Sequence, residues 1–172
     1  SETHFASASR GMSVKLTGRS SHAAEPEKGV NPALAIARMI SAVNDLLNST
    51  DDFGDFVLIT PIHARLGNLA YGTSPGEGVL HFTLRSYRDE DMEQLTKKLE
   101  VRINEIAANE KLAVDIGYEE VFPATLNKAG CTQMVRDAAH ENDFRADNLD
   151  APFRWSEDFG HFTKHYPGAL FG

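Results

Sequence analysis

Two side chains in this sequence have the type and setting needed to act on a ligand. His22 lies in the segment SSHAAEP at residues 20–26, where small neighbours leave an imidazole N–H able to donate to a developing oxyanion. The alternative is a loop that only leads into a capped helix, with His22 an incidental polar residue. Arg85 falls on the polar side of a predicted strand, where a guanidinium can bind a carboxylate through two hydrogen bonds. The alternative for Arg85 is a solvated sheet face.

A pair of histidines near the end of the chain invites a search for a metal site. His161 and His165 are four residues apart on a predicted helix, and Glu157 lies one turn earlier. In the HExxH zinc signature a glutamate follows the first histidine, but here that position is Phe162. The pattern therefore favours an exposed or interfacial helix face, and we predict no metal ligand in this chain.

Two further candidates are weaker. Glu119 and Glu120 could serve as paired carboxylates, but neighbours on a strand point to opposite faces of the sheet, which favours a solvated strand end. Cys131 is the single cysteine and is interpreted as structural. The sequence has no nucleophile elbow and no glycine-rich phosphate loop before a helix.

Composition limits the kind of partner. The chain has 172 residues, of which 41% are hydrophobic, and a formal net charge of −8. The acidic balance argues against binding to nucleic acid or to an anionic membrane, since either needs a cationic surface. No apolar run approaches the ~18–20 residues that span a bilayer. One cysteine gives no internal disulfide and fits a reducing compartment, so we expect a cytoplasmic protein.

The elements that must position His22 and Arg85 follow the order β-α-β-β-α-β. Asn31 and Pro32 predict the start of a helix over about residues 32–48, and the carboxylates from Asp89 predict the start of a second. Pro61 marks the apolar strand at 56–66 as an edge strand. The remaining strands are predicted around residues 12–17, 80–85 and 114–118. This order predicts an α+β fold, a ferredoxin-like two-layer sandwich over residues 12–123.

The remainder of the chain has a different character. Residues 131–142 predict a short helix, Ser156 a helix cap, and residues 169–171 a strand. This segment of about 45–50 residues is predicted to contain one strand at most, with no second strand of its own to pair with. The segment at 124–172 is therefore expected to be part of another domain.

The motifs together resemble a known family. GRSSHAAEP at residues 18–26 with GVNP at 29–32 is similar to the start of the lid, or dimerisation, domain of the zinc aminoacylase/carboxypeptidase family, peptidase family M20. SEDF at 156–159 with PGALFG at 167–172 resembles the catalytic domain of its amidohydrolase branch. The resemblance implies a linker from the catalytic domain at 1–11, the lid at 12–123, and a C-terminal fragment of the catalytic domain at 124–172.

The resemblance also implies an activity. Family members hydrolyse amide bonds of N-acyl amino acids or small peptides with two zinc ions bridged by an aspartate and a hydroxide, and a glutamate acts as general base. The lid histidine, here His22, reaches the partner subunit's active site in a homodimer and stabilises the oxyanion. The strand arginine, here Arg85, binds the carboxylate of the substrate. The implied mechanism is physically coherent. Metal-bound water is the nucleophile, and the histidine donor completes the site when the lid closes.

The family's metal ligands have no counterpart here. No histidine has aspartate two positions later, and Glu119-Glu120 lies at the far end of the lid instead of before it. The chain is therefore expected to be a fragment that binds no zinc and is inactive alone. The loop at 72–75 reads GTSP where the amidohydrolase branch carries Asn-x-x-Pro, which puts a substrate contact there in question.

A second interpretation comes from another functional class. A free-standing ferredoxin-like module that dimerises or binds a small ligand, without catalysis, would have the same strand and helix order. It would leave the SEDF segment with nothing to pack on. In either interpretation the apolar edge strand at 56–66 is a template for pairing with a second copy of the chain.

Overall fold

A computed structural model of the chain describes residues 3–48 and 52–172. In chain order, its strands and helices are β1 (Thr3–Ala6), β2 (Ala8–Thr17), β3 (Ser21–His22), α1 (Ala33–Asn48), β4 (Val57–Leu66), β5 (Thr73–Ser74), β6 (Glu77–Ser86), α2 (Asp89–Asn109), β7 (Ala113–Phe122), β8 (Thr125–Asn127), α3 (Ala129–Glu141) and α4 (Phe159–Thr163). A single 3-10 turn covers Pro26–Lys28.

The main sheet has four antiparallel strands in the order β4-β6-β2-β7. Two crossovers produce this order, because α1 connects β2 to β4 and α2 connects β6 to β7. Both helices cover the same face of the sheet and pack on each other. The predicted α+β, ferredoxin-like sandwich is therefore confirmed.

Alternation along the strands and the helical stripes builds the core. On β6, Leu80, Phe82 and Leu84 are fully buried, whereas the residues between them point to the open face of the sheet. The predicted apolar stripe of α2 is buried against the same face of the sheet; its members are Met92, Leu95, Leu99, Ile103 and Ile106. None of the described helices is long and apolar enough to cross a membrane.

The start of α1 is fixed as the sequence predicts. The Asn31 side-chain oxygen accepts the backbone N–H of Ala33 at 2.9 Å, and Pro32 precedes the first helical residue. This bond satisfies one of the N–H groups that have no partner within a helix. The backbone hydrogen bonds between Arg19 and Val30 hold this helix start beside the loop that carries His22.

Strand β4 is an edge strand, as Pro61 predicts. It pairs only with β6 among the described strands, and every residue of β4 after Ile59 is exposed. Proline is tolerated here because an edge strand needs no ladder donor on its open side.

The two ends of the chain pair with each other. The region predicted as a linker at 1–11 holds β1 and the first residues of β2, while Ser1 and Glu2 lie outside the described residues. The segment at 124–172 was expected to have no sheet partner of its own, and its strand β8 pairs with β1, outside that segment, in a second, two-stranded sheet. Isolated short strands carry too little periodicity to be recognised in a sequence.

Two further expectations for the tail were wrong in detail. Ser156 does not cap a helix, since α4 begins at Phe159 and Asp158 precedes it. Residues 169–172 form no strand. Instead, the side-chain amide of Asn127 bonds both the N–H and the C=O of Leu170 at 2.8 Å, and so takes the place of a strand partner.

Candidate functional site

His22 sits in a small two-stranded sheet at one end of the main sheet. β3 pairs with β5 so that His22 lies opposite Thr73. Close backbone contacts hold this arrangement: a Cβ at Gly76 would lie 2.4 Å from the backbone nitrogen of Ser20. Only glycine permits that approach, so the loop with His22 is fixed against the end of the sheet.

The imidazole of His22 is exposed and oriented by one hydrogen bond. Its Nδ1 accepts the backbone N–H of Ala24 at 3.1 Å. In the neutral ring the proton is therefore on Nε2, the nitrogen that faces away from the backbone. Nε2–H is left as a donor for a ligand outside the loop.

The segment at 72–75 supports the His22 loop. The carbonyl of Gly72 accepts the N–H of Ala23 at 3.0 Å. Ser74 Oγ accepts the side-chain amide of Asn31 at 3.1 Å, which links the segment to the start of α1. The departure of GTSP from the family's usual Asn-x-x-Pro is thus compatible with a role in holding His22.

Arg85 lies at the other end of the same sheet. Its Nη1 donates to the backbone oxygen of Arg154 at 2.8 Å and to Ser156 Oγ at 3.0 Å. Ser156 therefore anchors Arg85, a role that the cap prediction missed because the partner is 71 residues away. One nitrogen makes both contacts, and the rest of the guanidinium remains available for a carboxylate.

One chain does not bring His22 and Arg85 together. β6 begins beside the His22 loop, since Gly18 N–H bonds the carbonyl of Gly76 at 2.7 Å, and Arg85 lies near the strand's far end. Eight residues of extended strand separate Glu77 from Arg85, which is about 26 Å. No single ligand of amino-acid size can touch both side chains in one copy.

The open face of the sheet carries a groove of about 430 Å³ that includes Arg85. We call it the sheet-face groove; its polar lining comprises Ser9, Ser13, His81, Thr83, Arg85, Glu119, Glu120 and Ser156. A larger cavity of about 640 Å³ lies between β1 and α3, but neither His22 nor Arg85 lines it.

A β-bulge changes the expected placement of Glu119 and Glu120. The register between β2 and β7 shifts between Ser9 and Gly11, and Glu120 adopts a φ of 50°. The bulge breaks the alternation that would send the two carboxylates to opposite faces. Both side chains are exposed, as expected of a solvated strand end. The expectation that they point to opposite faces is corrected, since both line the sheet-face groove and border the same site as Arg85.

The metal candidates at the end of the chain do not converge. His161 Nε2 lies 3.1 Å from the backbone oxygen of Val121, and Glu157 accepts the N–H of Phe159 at 2.8 Å. Among the described residues no group of three or more histidine, cysteine or carboxylate side chains could hold a metal ion. These residues therefore do not fit a metal centre.

An electrostatic perturbation lies on the helix side of the sheet. Burial raises the pKa of Tyr118 well above its ordinary value, and a hydrogen bond to Glu100 raises this pKa further. The ring of Tyr118 also packs under the guanidinium of Arg10, 5.4 Å from the ring centroid. This cluster joins α2 to the sheet and does not reach the sheet-face groove.

Comparisons with known proteins give a consistent pattern. A family model described as a peptidase dimerisation domain of the M20 type matches residues 7–111. N-acetyl-L-cysteine deacetylase of Bacillus subtilis is 26% identical over 162 residues, which cover 92% of this chain and 38% of that protein. N-acetyldiaminopimelate deacetylase of the same organism is 23% identical over 158 residues, which cover 92% of this chain and 42% of the relative.

Solved structures share the fold. A putative aminohydrolase from methicillin-resistant Staphylococcus aureus matches with a TM-score of 0.81 at 15% identity, covering 96% of this chain and 42% of that one. A dinuclear metal-binding peptidase of the M20 family from Bacillus subtilis matches with a TM-score of 0.74 at 13% identity, covering 98% and 41%. The chain spans about two-fifths of the length of these relatives.

Proposed function

The chain belongs to the M20 family of peptidases, whose dimerisation domain it carries, and from this premise we propose that it comprises the lid and part of the catalytic domain of a longer amidohydrolase. That longer protein, called the parent enzyme below, hydrolyses the amide bond of N-acyl amino acids or short peptides. Two similar proteins are named as deacetylases of N-acetylated amino acids, which supports this reaction class. Arg85 would hold the carboxylate of the substrate, and His22 would act on the acyl group.

His22 is proposed to stabilise the charge that develops during hydrolysis. When water adds to the acyl carbonyl, the carbonyl oxygen becomes an oxyanion. Nε2–H of His22 is free to donate to that oxygen because Nδ1 is occupied by Ala24. When the tetrahedral species collapses, the C–N bond breaks, the amine takes a proton, and the carboxylic acid is released. The donor is useful because it is held in place before charge develops.

Metal use is proposed for the parent enzyme and not for the residues described here. One similar structure is described as a dinuclear metal-binding peptidase, and the resemblance of the sequence motifs implies zinc. Bound zinc would activate water and polarise the carbonyl. Since the described residues contain no cluster that fits a metal, the ligands would come from other parts of the parent enzyme.

The opposite positions of His22 and Arg85 support a site shared between two copies. β4 meets β6 so that Leu66 lies opposite Gly78, near His22, and Val57 lies opposite Ser86, near Arg85. If two β4 strands pair antiparallel across a twofold axis, the Leu66 end of one copy lies beside the Val57 end of the other. His22 of one copy would then approach Arg85 of its partner. This placement is the observation that carries the proposal.

β4 is a better edge for such pairing than β7. The acidic side chains Glu119 and Glu120 and the bulge at Glu120 protect β7, since charges and bulges discourage strand addition. β4 is apolar and exposed: Ile62 is 61% exposed. Beyond β4, Leu69 and Tyr71 are 90% and 94% exposed next to the His22 loop, as expected of a surface that a partner covers.

The reaction class is tested on the purified parent enzyme. We expect it to release free amino acid from N-acetyl amino acids, to lose this activity when a chelator removes metal, and to regain it with zinc. Amine release measured with and without chelator checks this. Absence of turnover on every N-acyl amino acid, or hydrolysis that a chelator does not change, would contradict the proposal.

The dimer is tested on the chain itself by sedimentation. We expect a species of about twice the 18.9 kDa of one chain. Ile62→Asp should shift it to the monomer, because two like charges would face each other across the twofold axis. Met134→Asp, the same change at an exposed position on α3, serves as the matched control and should remain dimeric. A monomeric wild-type chain at micromolar concentration would argue against pairing through β4.

A further inference from the structure

The sheet-face groove has opposite charges at its two sides. Arg85 and His81 project from β6, whereas Glu119 and Glu120 project from β7. We propose that this groove is a subsite for the side chain of the substrate amino acid and that it selects side chains ending in an ammonium or guanidinium group. The inference rests on the proposed function, because it takes Arg85 as the ligand of the substrate carboxylate.

The floor of the groove leaves room for an extended side chain. The central strand β2 contributes Ser9, Gly11 and Ser13, which lie opposite Arg85, Thr83 and His81 respectively. At Gly11 a Cβ would lie 2.9 Å from the backbone oxygen of Glu119, so the bulged strand approaches the floor closely. Small residues in the middle and long ones at both sides make a channel and not a flat sheet surface.

The separation of the two charged sides fits a basic amino acid. β2 lies between β6 and β7, so two strand spacings separate β6 from β7. Glu119 and Thr83 both pair with Gly11 of β2, and Thr83 is two residues from Arg85 along β6. These offsets place the backbones of Arg85 and Glu119 about 12 Å apart. A lysine-length side chain, extended from its carboxylate, with one hydrogen bond at each end, spans such a gap.

The carboxylates are available to such a ligand. The described residues give Glu119 and Glu120 no hydrogen-bond or ion-pair partner, although other surface carboxylates of the chain are paired with lysine or arginine. The cationic group in the groove, the guanidinium of Arg85, is on the opposite wall, where Ser156 and the backbone of Arg154 hold it. A ligand with a carboxylate at one end and a cation at the other meets a complementary charge at each end.

The location of β7 keeps the groove open in the proposed dimer. β7 is the edge of the sheet opposite β4, so pairing of two copies through β4 leaves Glu119 and Glu120 uncovered. The tail closes one end of the groove through Ser156. A substrate held by Arg85 therefore extends its side chain along the open face of the sheet, towards Glu119.

The test compares substrates that differ in one terminal group. With the parent enzyme, kcat/KM is measured for N-acetyl-L-lysine, for N-acetyl-L-norleucine, which lacks the ammonium group, and for N-acetyl-L-glutamate. We expect lysine to exceed norleucine about tenfold or more, and glutamate to be the poorest, since its second carboxylate meets like charges. The variant with Glu119→Gln and Glu120→Gln together should lose the lysine preference to within about twofold, because kcat/KM falls for the lysine compound. Glu105→Gln, an exposed carboxylate on α2, is the control and should keep the preference.

The outcomes separate this inference from the function on which it rests. Hydrolysis of norleucine and lysine derivatives at equal rates, or a lysine preference that survives in the double variant, would overturn the subsite and leave the reaction class intact. Failure to hydrolyse any of the three compounds would overturn both.

Discussion

Replacement of His22 by alanine in the parent enzyme is expected to lower kcat by about 100- to 1000-fold, with KM nearly unchanged. The reason is that Nε2–H would bind the oxyanion of the transition state more strongly than the neutral carbonyl of the substrate. Losing a donor that acts mainly in the transition state lowers kcat and leaves ground-state binding of the substrate nearly unchanged. Steady-state kinetics on one N-acetyl amino acid measure both constants.

The folded structure should tolerate this replacement. His22 is exposed and its ring makes one hydrogen bond to Ala24 within its own loop, so the free energy of unfolding should change by less than about 1 kcal/mol. His140→Ala, an exposed histidine on α3, is the matched control and should retain full activity. Near-normal turnover of the His22→Ala variant, or a loss that follows a fall in melting temperature, would remove His22 from the mechanism.

Much of the fold could be predicted from the sequence because local patterns and tertiary packing agree. The alternation at Leu80, Phe82 and Leu84, the stripe on α2 and the Asn31 cap each indicate one element, and each occurs as predicted. The short strands β1, β3, β5 and β8 were missed. Segments of two to four residues have no periodicity, and their pairing depends on partners distant in the sequence.

Less of the candidate site than of the fold could be predicted from the sequence. The motif around His22 and the alternation on β6 identify two residues, but the sequence does not indicate that Ser156 holds Arg85. The sequence also fails to predict that the adjacent carboxylates Glu119 and Glu120 lie in the same groove. The alternation rule separates them, and only a positive φ at Glu120 brings both to one groove. Glutamate gives no local signal for that conformation, whereas glycine would have.

The distance between His22 and Arg85 is the feature with the largest consequence. Since about 26 Å of β6 separates the strand end beside the His22 loop from Arg85, the two residues can serve one substrate only if they come from different subunits. The dimer is therefore part of the proposed active site and not only a means of association. Each twofold dimer would contain two sites, each built from Arg85 of one copy and His22 of the other.

A mixture of two inactive variants of the parent enzyme tests this claim most directly. His22→Ala and Arg85→Ala subunits carry different affinity tags, are purified separately, and are then mixed under conditions that exchange subunits. In a mixed dimer one site contains both substitutions and the other contains neither. Two copies of His22→Ala with different tags form the control, which should show no recovery.

The activity of the exchanged mixture distinguishes a site shared between two subunits from a site within one subunit. Since half of the dimers are mixed and each has one intact site of two, we predict recovery to about 25% of the wild-type kcat/KM. His22→Ala alone should have about 1% of this value or less because kcat falls, and Arg85→Ala alone should have a low value because carboxylate binding is lost. Activity that stays at the level of the separate variants, after tag analysis has shown that mixed dimers formed, would place His22 and Arg85 in one subunit's site and contradict the account.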